Sequence, residues 1–162
     1  MIMVSLFSRG KGKNMWNHRK STICSLVCTR AVMVIFVVIA AFLPKIMGFY
    51  EAKGTLEADS IIPLMVILYC ECAPAIAALI SLDRLLKNIR NGQVFISGNV
   101  RLLRVISWSC FAAAVLALAA AKYYTLFITV AAAAAFMGLI LRVVKNVIEE
   151  AVVIKEENDY TI

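Results

Sequence analysis

Four stretches of about twenty mostly apolar residues leave this chain few ways to fold, because a run of that length is what an α-helix needs to cross a bilayer. They fall near Ile23 to Leu43 (with room to slide toward Tyr50), Ile61 to Leu82, Leu102 to Ala121, and Tyr123 to Leu141. A soluble domain of 162 residues exposes too much of its surface to hide them. The composition agrees: 62% of residues are hydrophobic and 17% charged, against about 45–50% and about 25% in ordinary globular domains. In hydrocarbon every backbone N–H and C=O must be satisfied within its own segment, which selects helices here. The expected fold is all-α: a polytopic membrane protein whose four transmembrane helices form a bundle with cytoplasmic helical extensions. Three parts follow: a basic arm over 1–22, the four-helix membrane domain over 23–141 with a loop at about 83–101, and an amphipathic extension and tail over 142–162. The first run is too long for the core of a signal peptide, and Pro44-Lys45-Ile46 stands where a small-residue cleavage site would be.

Lys and Arg set the orientation. Arg9, Lys11, Lys13, Arg19, Lys20 and Arg30 lie before or early in the first run. Arg84, Lys87, Arg90, Arg101 and Arg104 lie between the second and third, and Arg142, Lys145 and Lys155 after the fourth. All of these share one side of the membrane, against Lys45, Lys53 and Lys122 on the other. The basic side is therefore expected to be cytoplasmic, with both termini there. This placement accounts for the net charge of +7 without a nucleic-acid ligand. The connections on the opposite side are short, the second being a tight hairpin around Lys122-Tyr123-Tyr124, so the soluble mass is expected on the cytoplasmic side.

Glu71 is the most unusual residue, near the middle of the second run. A charge at that depth costs roughly 2.5–3.5 kcal/mol on insertion scales and normally faces the bundle interior. Arg30, about 10 Å into the first run at 1.5 Å per residue, is its candidate partner across the helices. Snorkelling to the headgroups is an equal alternative for that arginine. Pro74 follows Glu71 by one helical turn and is a candidate kink, because proline removes a backbone donor. The alanine-rich third and fourth runs (Ala112 to Ala114, Ala119 to Ala121, Ala131 to Ala135) are expected to pack as a close antiparallel hairpin.

Catalytic and metal-binding chemistry find little support. Cys24, Cys28, Cys70, Cys72 and Cys110 all sit in apolar runs, where free cysteine is commonly a small buried hydrophobe. Their odd number and placement do not make a disulfide framework. His18 is the sole histidine and lies in the basic arm, and Gly10-Lys11-Gly12-Lys13 lacks the strand-to-helix setting of a phosphate loop, reading instead as a flexible tail. An enzyme, a metal site and a cofactor are accordingly not expected.

Two segments on the cytoplasmic side carry the remaining information. After the second run, Leu82, Leu85, Leu86 and Ile89 continue a helix, Asn91-Gly92 signals a turn, Gln93 to Ile96 suit a short strand, and Ser97 or Asn99 suits a cap for the third helix. After the fourth run, Val144, Val147, Ile148, Ala151 and Ile154 mark one face of an amphipathic helix, expected to pack on the loop between the second and third helices. A face for docking a partner protein is the sharper reading.

At these two segments the chain resembles a family of uncharacterised bacterial four-helix membrane proteins grouped as a domain of unknown function. One shared motif, G-x-x-F-x-x-x-N-x-x-x-L-R, is met by Gly92, Phe95, Asn99, Leu103 and Arg104. The other, an E-N-D-x-T-I ending, is met by Glu157, Asn158, Asp159, Thr161 and Ile162. The resemblance extends from roughly Lys20 to the end, which makes Met15 an alternative start to Met1. It implies a bacterial cytoplasmic membrane and, from genes often set beside a small Cro-type helix-turn-helix regulator, a regulatory link to such a protein. It implies no activity. The two motifs also suggest that an extended Tyr160-Thr161-Ile162 pairs with Gln93 to Ile96.

Three functions compete. The first is a non-enzymatic membrane adaptor or regulatory protein that binds a cytoplasmic partner. The second is a small ion- or proton-coupled transporter using Glu71, which lacks the paired broken helices of known transporters. The third is an immunity or envelope-stress protein, supported by size and topology alone.

Overall fold

A computed structural model describes the backbone of residues 2–54 and 58–159, and the side chains of residues 23–54 and 59–158. It holds four helices: α1 (Ile2–Ala52), α2 (Ala58–Arg90), α3 (Ser97–Ala120) and α4 (Phe127–Asp159). Each is long and apolar enough to cross a membrane, over Ile23–Ala52, Asp59–Arg90, Ser97–Ala120 and Phe127–Asn158. This is a multi-pass membrane protein. The 24 residues of α3 span about 36 Å, whereas the 33 residues of α2 and of α4 each span about 50 Å. With a hydrocarbon core of about 30 Å, α2 and α4 overrun the bilayer, as the periodicity beyond their apolar runs predicts. The N-terminal arm differs from expectation: residues 2–22 continue α1 as helix. The hairpin at Lys122 to Tyr124 delays the start of α4 to Phe127, because Tyr123 and Tyr124 turn back to the Ala120 carbonyl.

The helices pack in chain order: α1 on α2, α2 on α3 and α3 on α4. Among the described residues no other pair comes into backbone contact. On α1, Leu26, Thr29, Met33, Phe36, Ala40, Leu43 and Met47 are buried or half-buried at alternating spacings of three and four, the seam of a coiled-coil contact. Val27, Val34, Val38 and Phe42 on its other faces are exposed, where lipid would cover them. Pro44 lies within α1 and has no N–H for the Ala40 carbonyl one turn earlier. The Tyr69 hydroxyl on α2 donates to that freed carbonyl at 3.5 Å, a long bond that keeps the peptide paired. Two clusters close the ends of the bundle. Leu43, Met47, Leu64 and Ala120 gather at the end opposite the basic residues. Leu85, Leu103 and Ile106 gather at the basic end, with Leu141 and Ile148 against them.

α3 and α4 meet closely at Gly138. A Cβ built there would stand 3.3 Å from Cys110 Cβ and from the Phe111 ring, so only glycine lets the backbones meet without displacement. The Ser107 hydroxyl crosses the gap and donates to the Gly138 carbonyl at 2.8 Å. The close antiparallel hairpin expected from the alanines is present, and this glycine takes part in it. Continuing from Gly138 at helical spacing, α4 turns Leu141, Lys145, Ile148 and Val152 inward. The face expected from Val144, Val147, Ile148, Ala151 and Ile154 is therefore rotated: Ile148 and Ala151 lie half-buried, while Val144, Val147 and Ile154 are exposed. The reason is that Gly138 fixes the phase of the whole helix, and hydrophobicity beyond the membrane only follows it. Ile148 packs against the cluster of Leu85, Leu103 and Ile106, near the predicted loop.

Replacing Gly138 by Leu is expected to cost about 1–3 kcal/mol by overpacking. Ser107→Ala should cost roughly 0.6 kcal/mol, the average for an interhelical bond in a membrane. Thermal unfolding in detergent checks both, and a Gly138→Leu protein that melts like wild type would show the contact to be plastic.

Candidate functional site

The basic end is built around the α2–α3 connection. Gly92 takes a positive φ of 78° after the last turn of α2. Its N–H bonds the Ile89 carbonyl at 3.0 Å, and the Gln93 N–H bonds the Asn88 carbonyl at 3.0 Å. That pair of bonds is a Schellman cap, which needs a left-handed residue where glycine stands. Asn99, on the first turn of α3, is 1% exposed and holds the connection together. Its side-chain amide donates to the Gln93 carbonyl at 2.7 Å and the Val94 carbonyl at 2.8 Å, and its oxygen accepts from the Asn88 amide at 2.8 Å. A strand at 93–96 and a side-chain cap by Ser97 or Asn99 are thereby corrected. Residues 93–96 form no strand, and Ile96 occupies the N-cap position with no side-chain bond. The loop carbonyls turn inward onto one buried amide, which leaves no edge to pair and turns Asn99 away from a capping role.

Arg30 does not reach Glu71. Its Nε lies 3.3 Å from Asp83, which also pairs with Lys87 at 2.6 Å one turn along α2. The helix register explains this: Tyr69 faces Ala40, so Glu71 lies level with Val38 to Ala40, roughly 13 Å along the axis from Arg30 at 1.5 Å per residue. Glu71 sits among α2 residues partly covered by neighbours, and its Oε2 is buried without a hydrogen-bond partner. Pro74 lies within a continuous α2.

Across α3 and α4, Arg104 reaches Glu149 at 3.4 Å, and Lys145 holds the same carboxylate at 2.5 Å. Arg142 lies over the Trp108 ring, 5.2 Å from its centroid. Among the described residues no three His, Cys, Asp or Glu side chains gather as metal ligands would.

The profile of the family described as Protein of unknown function (DUF2975) matches residues 46–162. The chain belongs to this family. No match is found among curated proteins or among solved structures. The match begins within the second half of α1, later than the resemblance from Lys20 suggests. The family's first motif becomes a physical unit in this fold. Gly92 makes the cap, Asn99 gathers the loop, Leu103 fills the core cluster and Arg104 reaches α4. Phe95 stands exposed on the same loop. Of the second motif, Glu157 and Asn158 lie on the last turns of α4, exposed at the basic end. The side chain of Asp159, together with Thr161, Ile162 and the pairing of Tyr160-Thr161-Ile162 with the loop, lies outside the described residues.

Asp83, Asn88 and Glu149 were not legible as partners of these residues, although Asp83–Lys87 and Lys145–Glu149 carry the i, i+4 spacing that marks helix-face ion pairs. Asn88 gave no signal, since a polar residue near a helix end is ordinary. Replacing Asn99 by Leu strips two loop carbonyls of their donor and is expected to cost about 1–3 kcal/mol for each group left buried and unpaired. The checks are melting in detergent and proteolysis between Asn91 and Ile96, which should speed up. An unchanged loop would mean that water replaces the amide without loss.

Proposed function

We propose that this protein is a non-enzymatic adaptor or regulatory protein of a bacterial cytoplasmic membrane, with its basic end in the cytoplasm holding a soluble partner. The observation that carries this reading is the outer face of α4 beyond its apolar run. Val147 is 64% and Ile154 60% exposed on a helix that continues to Asp159, past the length a bilayer covers. Apolar side chains on a polar, charged helix outside the hydrocarbon are what a helix-in-groove partner takes up. The excess of basic residues at this end supports the cytoplasmic placement. The partner class is a small helix-turn-helix regulator, in keeping with the gene context that the resemblance implies, and nucleic acid is not bound directly.

Val147→Glu and Ile154→Glu test this, because both side chains are exposed and their replacement should leave detergent melting unchanged. Tagged wild-type protein drawn from mild-detergent membranes is expected to bring down a stoichiometric soluble protein, and the double variant to lose at least tenfold of it. Capture that is indifferent to both substitutions, or no partner at all, counts against the adaptor.

Glu71 favours a second reading, an ion- or proton-coupled transporter. A carboxyl group with a buried, unpartnered oxygen inside a helix bundle is a group that protons or cations visit. Proton flux in liposomes that vanishes with Glu71→Gln would favour it over the adaptor.

A further inference from the structure

The basic end carries more cations on the α3–α4 face than its carboxylates neutralise. A crevice of about 230 Å³ opens between the two helices, lined by Ser97, Arg101, Arg104, Glu149 and Glu156 among others. A smaller one of about 50 Å³ adjoins it, lined by Arg104, Ser107, Trp108, Arg142 and Lys145. Arg104 borders both. Glu149 answers both Arg104 at 3.4 Å and Lys145 at 2.5 Å, and Glu156 lines the larger crevice with Arg101. The smaller crevice, by contrast, is lined by Arg104, Arg142 and Lys145 with no carboxylate in its wall.

The depth of this cluster is specific. Leu141 ends the apolar run of α4 and Leu102 begins that of α3, so Arg104 and Arg142 stand where hydrocarbon gives way to headgroups. Trp108, 58% exposed, marks the same level, since tryptophan favours the membrane interface. One turn deeper, Phe111 sits edge-on to Trp108 with ring centroids 6.2 Å apart, and Val115 is exposed beyond it on the same α3 face. The surface thus changes, along a single line, from guanidinium and ammonium groups to indole to aliphatic wall. That sequence of chemistries matches a phospholipid read from phosphate to acyl chain. The Arg142 guanidinium is already stacked on the Trp108 ring, which holds one donor in place before any ligand arrives. Basic pockets between transmembrane helices are suited to anionic headgroups.

We propose that the α3–α4 crevice binds the phosphate of an anionic phospholipid through Arg104, Arg142 and Lys145, with the acyl chains lying along Trp108 and Val115. Arg104 then exchanges its long contact with Glu149 for a charge-assisted bond to phosphate, which its planar fork accommodates better than a lysine would. The site is independent of any soluble partner.

Trp108 is itself the reporter. The chain has two tryptophans, so Trp16→Phe leaves Trp108 alone. This full-length protein is reconstituted in phosphatidylcholine vesicles containing brominated phosphatidylglycerol or, at the same mole fraction, brominated phosphatidylcholine. The anionic quencher is expected to be enriched about fivefold or more beside Trp108, the factor one basic residue near a membrane surface contributes. Arg104→Gln with Arg142→Gln should remove that excess while circular dichroism shows the helices intact. Arg84→Gln with Arg90→Gln, which takes equal charge from α2, should leave it. Equal quenching by the two lipids in the unsubstituted protein overturns the proposal without recourse to any charge variant. So does an excess lost equally with the α2 substitutions, which would mean diffuse surface attraction. Inorganic phosphate, compared with chloride at matched ionic strength, separates the sources: if it abolishes the excess, the crevice is a site for the free anion and the lipid assignment falls.

Discussion

Helices in hydrocarbon gain nothing from hiding apolar surface, since lipid is as apolar as they are, so their association depends on how closely they can approach. In this protein the approach that matters most is α3 against α4 at Gly138. It sets the rotation of α4, and the rotation decides which side chains face inward along the rest of that helix. α3 supports it through Ser107, and further small residues of α3, Ala114, Ala117 and Ala120, are buried, the last of them in the cluster with Leu43, Met47 and Leu64. The aliphatic residues on the outer faces of α1 and α4 are left for lipid, which is why so many valines and isoleucines are exposed.

Polar interactions concentrate at the basic end and follow the rules of soluble proteins. A Schellman cap ends α2, and one buried asparagine gathers the next loop. Ion pairs tie α1 to α2 at Asp83 and α3 to α4 at Glu149. These pairs are partly exposed and contribute at most about 1 kcal/mol each. Their value is positional, because they hold the ends of long helices in register where the membrane no longer does. The family motif around Gly92 and Asn99 is thus first a folding device, whatever the protein does with the end it shapes.

Hydropathy made the four spans and their order legible, since bilayer thickness translates directly into run length. Helix ends were less so: α3 starts at Ser97 and residues 2–22 are helical, because backbone hydrogen bonds continue where apolar side chains stop. The close pairing of α3 with α4 was legible from their alanines, but the individual contacts between helices were not. Arg30 and Glu71 are both charged at depth, which suggests a pair, but the register of α1 on α2 gives Arg30 to Asp83. Gly138 stands three residues after an alanine-rich run, and nothing in its neighbourhood distinguishes it until α3 is placed beside it. Of the first motif, the turn at Gly92 was readable from residue type, whereas the role of Asn99 required the path of the preceding loop, which brings two carbonyls and the Asn88 amide around it.

Packing strictly in chain order has a consequence for how such a protein is made. A helix whose backbone approaches only its predecessor and its successor needs no later segment before it can dock. Only the side-chain clusters at the two ends wait for α3 and α4 to complete them. As the chain emerges, α2 can settle on α1 through the heptad seam, α3 on α2 through Leu85 and Leu103, and α4 last through Gly138. Contacts between sequence neighbours close small loops and favour rapid assembly. The insertion machinery can therefore release each hairpin as it is completed, and a defect in α4 leaves the first three helices already assembled.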